Sequence, residues 1–196
     1  MAEVARSSIR DIAGAAVREE LARVALDLFH REGFEQVTVN RLAAEAGVSR
    51  STILRYFGSK EDIVLGAFDA RGARIADALR ARPANEDDWT ALRRALDPIT
   101  DIYRKDPDGA LATTQLVLGS PALEVGQREK QHSWRPVLAQ ALADRDAPPR
   151  PSALVNTARA AAALGCLEIA ITEWAASQGE LSLVDLLDEA FAALAS

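Results

Sequence analysis

Arg50, Ser51, Thr52, Arg55 and Tyr56 fall within seven consecutive residues of this 196-residue chain, and the stretch 46–60 adds Lys60 without a single acidic side chain. A guanidinium fork can pair with O6 and N7 of guanine, and hydroxyls can donate to phosphate oxygens. The donor set therefore makes duplex DNA the first partner to consider. Groups suited to covalent chemistry are sparse. The chain has two histidines, His30 and His132, neither with a second ligand at metal-binding spacing beside it. It has no Gly-rich phosphate loop and no G-x-S-x-G elbow. The single Cys166 lies in an Ala-rich apolar run, where a buried inert thiol is expected, and it excludes an intramolecular disulfide. An enzyme would have to work through scattered carboxylates, and neither a cofactor nor a metal is expected.

The donors need a rigid support, and the surrounding sequence supplies one. From Thr38 to Lys60 the chain reads TVNRLAAEAGVSRSTILRYFGSK. Val39, Leu42, Ala43 and Ala46 follow the i, i+3, i+4, i+7 spacing of one buried helix face. Gly47 stops that helix, because glycine enters the left-handed region without a Cβ penalty, and Ser49 can cap the next. The second helix then starts at Arg50 with Ile53, Leu54 and Phe57 inward. This is a helix-turn-helix pattern. By position, Arg50, Ser51 and Asn40 should approach bases, Thr38, Thr52, Tyr56 and Lys60 should hold phosphates, and Arg55 could do either. The chain as a whole carries net −6 with a pI near 5.0, but residues 1–60 hold nine Lys/Arg against eight Asp/Glu, so the acidity belongs to the remainder. A small basic tip on an acidic body suits a specific, salt-sensitive binder better than a protein that coats nucleic acid.

Over residues 18–68 the sequence resembles the DNA-binding domain of the TetR family of bacterial transcriptional repressors. The resemblance rests on Leu21, Val24, Ala25, Leu28 and Phe29 on one helix face, then Gly33-Phe34, Thr38-Val39, Leu42-Ala43 and Ala46-Gly47-Val48-Ser49. It closes with Thr52, Tyr56-Phe57 and Ser59-Lys60-Glu61. One departure is Thr52-Ile53-Leu54, where many members carry Thr-Leu-Tyr, so Arg55 and Tyr56 are left to supply backbone contacts. The resemblance implies a ligand-responsive repressor that binds an inverted-repeat operator as a homodimer.

Composition sets the fold class. Abundant Ala and Leu, 5% aromatics and the lack of alternating Val, Ile and Thr runs point to an all-α fold, and 48% hydrophobic residues suffice for a substantial core. The expected organisation is a flexible N-terminal arm over 1–14, a three-helix DNA-binding domain over 15–60, a connecting helix over 61–79, and an effector-binding and dimerisation domain over 80–196. Within the last, Pro98 should kink or split one helix and Pro136 should bend another near His132 and Trp134. The proline-rich stretch 146–151 reads as a loop. No apolar run approaches the roughly 20 residues of a membrane span, and the N-terminus has no secretory pattern, so no membrane partner and a cytoplasmic location are expected.

The last two helical patterns, 152–177 and 183–194, carry more apolar surface than a monomer needs. They either close the monomer core or meet a second subunit. The TetR resemblance implies the second, as a four-helix bundle, with Leu167, Ile171, Leu183, Leu187 and Phe191 at the interface. Trp89, Tyr103, Gln115, His132, Trp134, Asn156, Glu168, Thr172 and Trp174 are polar or aromatic residues within apolar helices, and they are candidates to line an effector pocket. The stretch 128–134 (REKQHSW) and the stripe 183–194 are similar to a TetR subgroup that senses acyl-CoA-like molecules, making a small apolar effector the expected ligand. A helical protein-interaction module is the rival reading. It accounts for the terminal helices and leaves the helix-turn-helix idle.

Overall fold

The structure, a computed structural model, describes residues 2–145 and 151–195, and of 2–13 the backbone alone. All its regular elements are helices. The head consists of α1 (Ala2–Glu32), α2 (Val39–Glu45) and α3 (Arg50–Phe57). Leu28, Phe29, Leu42 and Ile53 fill its core, with the Phe29 and Phe34 rings 5.0 Å apart. Helix α1 continues back to Ala2, through the segment expected to be a flexible arm. Extending an established helix fixes one residue per added hydrogen bond, so the Ala-, Arg- and Glu-containing segment follows the helix already formed.

The expected single connector over 61–79 is instead broken into α4 (Glu61–Leu65), a 3-10 turn (Gly66–Phe68) and α5 (Arg71–Arg80). Its two glycines weaken the helix. Packing then decides the course, because a Cβ at Gly72 would collide with the Trp134 indole, and one at Gly126 with Leu65. The connector thus kinks to lie against α9 (Pro121–Ala143), which runs unbroken through Pro136.

Between them come α6 (Asp88–Ala95), α7 (Asp97–Lys105) and α8 (Pro107–Leu118). Pro98 splits α6 from α7 by sitting in the first turn of the latter, where its missing N–H costs nothing. The Asp87 carboxylate accepts from the N–H groups of Trp89 and Thr90 at the start of α6, and Asp106 accepts from Gly109 at the start of α8. Two terminal elements complete the body, the long α10 (Ala153–Ala176) and the shorter α11 (Leu183–Ala192), capped by Ser152 and Ser182. Of the expected proline-rich loop, residues 146–150 lie outside the described residues.

Helix α10 corrects one expectation. Among the described residues it is long and apolar enough by length and composition to cross a bilayer. It packs as a core helix between α9 and α11, burying Ala160, Ala163, Leu164, Leu167 and Ile171.

Candidate nucleic-acid interface

The turn between α2 and α3 is built locally. Gly47 takes φ +66, and the Val48 N–H donates to the Ala43 carbonyl at 2.9 Å, closing the end of α2 in the left-handed manner glycine permits. Ser49 is the N-cap of α3, its hydroxyl accepting from Thr52 N at 3.1 Å while lying 2.8 Å from Ser51 Oγ and 2.9 Å from Thr52 Oγ1. Thr38 caps α2 in the same way through Arg41 N. The two hydroxyl–hydroxyl bonds of Ser49 use two of the three protons in its cluster, whereas Thr38 accepts through its oxygen and keeps its proton to give. Asn40, Arg50, Ser51 and Arg55 are exposed, and Thr52 and Tyr56 half-buried. Among the described residues no carboxylate engages Arg50 or Arg55. The Arg55 guanidinium lies 5.3 Å from the Tyr56 ring centroid.

The basic residues behind this tip are used differently. Arg41 pairs with Glu32 at 2.6 Å and Glu45 at 2.8 Å, and Arg31 reaches Glu45 at 2.6 Å, tying α1 to α2. The Arg31 and Arg41 guanidiniums hold the Glu45 carboxyl below its usual range. Lys60 differs from its expected role on phosphates. Its ammonium donates to the carbonyls of Phe34 at 2.8 Å and Val37 at 3.1 Å and lies 4.0 Å from the Phe34 ring centroid. Two of its three protons are spent inside the head.

The residues expected to line an effector pocket do not converge on one cavity. Tyr103 and Trp174 meet edge to face at 5.0 Å inside the body, and Trp134 presses on Gly72. Trp89 joins α6 to α11 by donating from Nε1 to the Phe191 carbonyl at 3.0 Å. Gln115 is exposed and bonds Gln178, and it lines a cleft of about 550 Å³ between head and body, with His30, Phe34, Glu35 and Ser120. His132 is exposed and lies beside Arg135, while Glu168 and Thr172 lie on the outward face of α10. Asn156 is buried, its Oδ1 without a partner among the described residues. Burial pushes the Cys166 thiol up, as suits an inert packing group.

The expected interface residues are also displaced. Leu167, Ile171, Leu183, Leu187 and Phe191 are all buried within the monomer, because α10 and α11 turn them toward each other and the core. The apolar residues left outside are Leu154, Val155 and Ile169 of α10 with Leu181, Val184 and Leu194 around α11. Sequence periodicity could not set this phase, since α10 is apolar around most of its circumference. The placing of Ile169 between Glu168 and Thr172 was the available signal.

The head meets the body through a continuous apolar core, with α1 packed on α4 and α8. Ser120 Oγ, on a buried residue, also donates to Glu35 at 2.6 Å, and Lys130 of α9 pairs with Asp69 of the connector.

Residues 21–67 match the family model described as bacterial regulatory proteins, tetR family, and residues 86–196 match that of the MftR C-terminal domain. The HTH-type transcriptional regulator TcmR of Streptomyces glaucescens is 33% identical over 135 residues, covering 66% of this chain and 60% of that protein. The first curated relatives are thus matched over about three-fifths of their length. Among solved structures, FadR of Bacillus subtilis in complex with stearoyl-CoA superposes with a TM-score of 0.62 at 20% identity, over 91% of this chain and 97% of that one. FadR of Bacillus halodurans, a fatty acid degradation regulator, gives 0.62 at 23% identity over 91% and 94%. At these identities the superpositions show the fold.

Proposed function

The chain belongs to the TetR family of bacterial regulatory proteins and is a DNA-binding transcriptional regulator, and on that premise we propose that it acts as a homodimeric repressor released by a small apolar effector. The observation that carries this reading is the exposed start of α3, with Arg50 and Ser51 outward, on a body that leaves Leu154, Val155 and Ile169 of α10 uncovered. Residues 15–60 form the DNA-binding unit and 80–196 the effector-binding and dimerisation unit, joined by the kinked connector.

Arg50, Ser51 and Asn40 read bases, while Thr38, Thr52 and Tyr56 hold phosphates, with Arg55 at the edge between both tasks. The dimer forms through the outward apolar arc of α10 and α11. Clefts of about 500 Å³ and 620 Å³ beside that arc, the second lined by Trp89, Ala158, Ala162 and Leu194, are open in the monomer and would be closed by a second copy. Two-fold symmetry then requires an inverted-repeat operator with half-sites about 34–36 Å apart. The effector is a molecule of the acyl-CoA class, for which the stearoyl-CoA held by the FadR relative is the support. It binds in the body and favours a dimer with another spacing of the heads. The protein works in the cytoplasm, where operator and effector meet.

Footprinting on the DNA upstream of its own gene tests this reading. A protected inverted repeat, lost as stearoyl-CoA is added, is the expected result. Protection that is asymmetric, or indifferent to every acyl-CoA at concentrations that raise the melting temperature, would overturn it.

A further inference from the structure

Arg71 opens α5 and is 8% exposed, so its guanidinium is inside the body. It lies 4.0 Å from the Phe68 ring centroid and 5.9 Å from that of Tyr103. Among the described residues no carboxylate pairs with it and no hydrogen bond engages it, and its Nε is fully buried without a partner. Aromatic faces stabilise a cation without using its N–H groups. A buried charge is ordinarily paired and hydrogen-bonded. The same fold does this for Arg145, also buried, which donates to the carbonyls of Leu79, Pro83 and Glu86 and meets Asp88 at 3.4 Å. Arg71 is therefore an exception within its own domain. The nearest acid along the chain, Asp69, is turned outward to Lys130.

Its surroundings share this unspent capacity. The Tyr103 hydroxyl makes no hydrogen bond among the described residues and keeps contact with solvent, although the ring is buried. Gln131 is buried on α9 and makes none either. It lies one turn before Trp134, whose indole packs against Gly72, the residue after Arg71. A guanidinium fork beside a phenol suits a group that only accepts, an oxyanion. Tyr103 and Thr100 also form the floor of a cleft of about 200 Å³ with Arg104, Pro107, Trp174 and Leu181, so the aromatic cover of Arg71 borders a route from outside.

We propose that Arg71 is the receptor for an anionic group, a carboxylate or a phosphate ester, on the effector of this protein. The proposal rests on the reading of the body as an effector domain and adds the charge that the apolar ligand must carry. An apolar molecule without an anion would leave the guanidinium unpaired and bind weakly.

The test uses the full chain and three probes with the same alkyl length: dodecanoate, dodecanoyl-CoA and methyl dodecanoate. At least one anionic probe should raise the melting temperature of the wild type and change its tryptophan emission, and the neutral ester should do neither at equal concentration. Activity of dodecanoate assigns the carboxylate, and activity of the CoA thioester alone assigns the phosphates. Arg71→Met should melt at or above the wild-type temperature without ligand, keep operator binding, and bind the active anion about tenfold or more weakly. Arg71→Lys, which keeps the charge and loses the fork, should fall between. A ligand-free Arg71→Met protein that melts several degrees lower would show a structural cation and overturn the proposal. So would an unchanged anion response in that variant, an equal response to the methyl ester, or no response of the wild type to any probe. If the anion binds through Arg71 and DNA is not released, the switch in the proposed function fails and the receptor stands.

Discussion

Ile169→Asp and Leu187→Asp are one chemical change at two apolar positions, and the structure expects opposite outcomes. Ile169 is 60% exposed on the outer arc of α10, whereas Leu187 is 0% exposed between α11 and the core. Covering Ile169 with a second subunit removes about 100 Å² of apolar surface, which at about 25 cal/mol per Å² contributes about 2.5 kcal/mol per subunit and about 5 kcal/mol per dimer. An Asp forfeits that and adds a charge facing its own copy. A loss of about 5 kcal/mol is between three and four orders of magnitude in Kd, enough to take a nanomolar dimer into the micromolar range. Ile169→Asp should therefore sediment as a monomer at about 1 μM, with wild-type helical circular dichroism and weaker operator binding. Leu187→Asp should lose the cooperative melt itself, since a core Leu replaced by an unpaired charge costs about 3–5 kcal/mol or more against a total of about 5–15. A dimeric Ile169→Asp at that concentration, or a Leu187→Asp monomer with an intact melt, would refute the placing of the interface on the outward arc.

Arg50→Ala should cost about 1–3 kcal/mol at the operator and relax its sequence preference, measured by mobility shift against single-base operator variants. Lys60→Met should lower the melting temperature of the head and weaken binding to all sequences, with the salt slope of operator binding unchanged, because its ammonium serves the Phe34 and Val37 carbonyls. Gly72→Ala should destabilise by about 1–3 kcal/mol in a denaturant melt, as its Cβ meets the Trp134 indole. Glu45 has its carboxyl depressed by Arg31 and Arg41, so its contribution to stability is present above the ordinary carboxylate range and disappears as pH falls through the lowered value. The melting temperatures of Glu45→Gln and wild type should accordingly differ at pH 7 and converge toward pH 3.

Helix ends were legible because they are local. Gly47 and Ser49 act on backbone groups a few residues away, and each does in the structure what its type requires. Three features depended on distant residues and could not be read. The break after Leu65 answers to α9, sixty residues later. Lys60 in a basic tip reads as a phosphate ligand until the carbonyls of Phe34 and Val37 are seen beneath it. The phase of α10 is hard to read because its long Ala-rich middle is apolar all round, and only Glu168, Thr172 and Glu173 beside Ile169 mark the side that α9 and α11 leave uncovered. Arg71 gave no signal, since an arginine in a helix start ordinarily reads as solvated.

The Lys60 clasp has a mechanical consequence. It fastens the root of α4 to the loop that precedes α2, closing residues 34–60 into a ring held by side-chain hydrogen bonds in place of a covalent link. In the proposed switch, a shift of the connector would then move the ring as a unit and not bend within it. In the proposed dimer the two heads would differ between states in separation and tilt, while each reading surface keeps its shape. Contact with an isolated half-site should thus be equally strong with and without effector, and the difference between bound and released states should exist only for two half-sites at fixed distance.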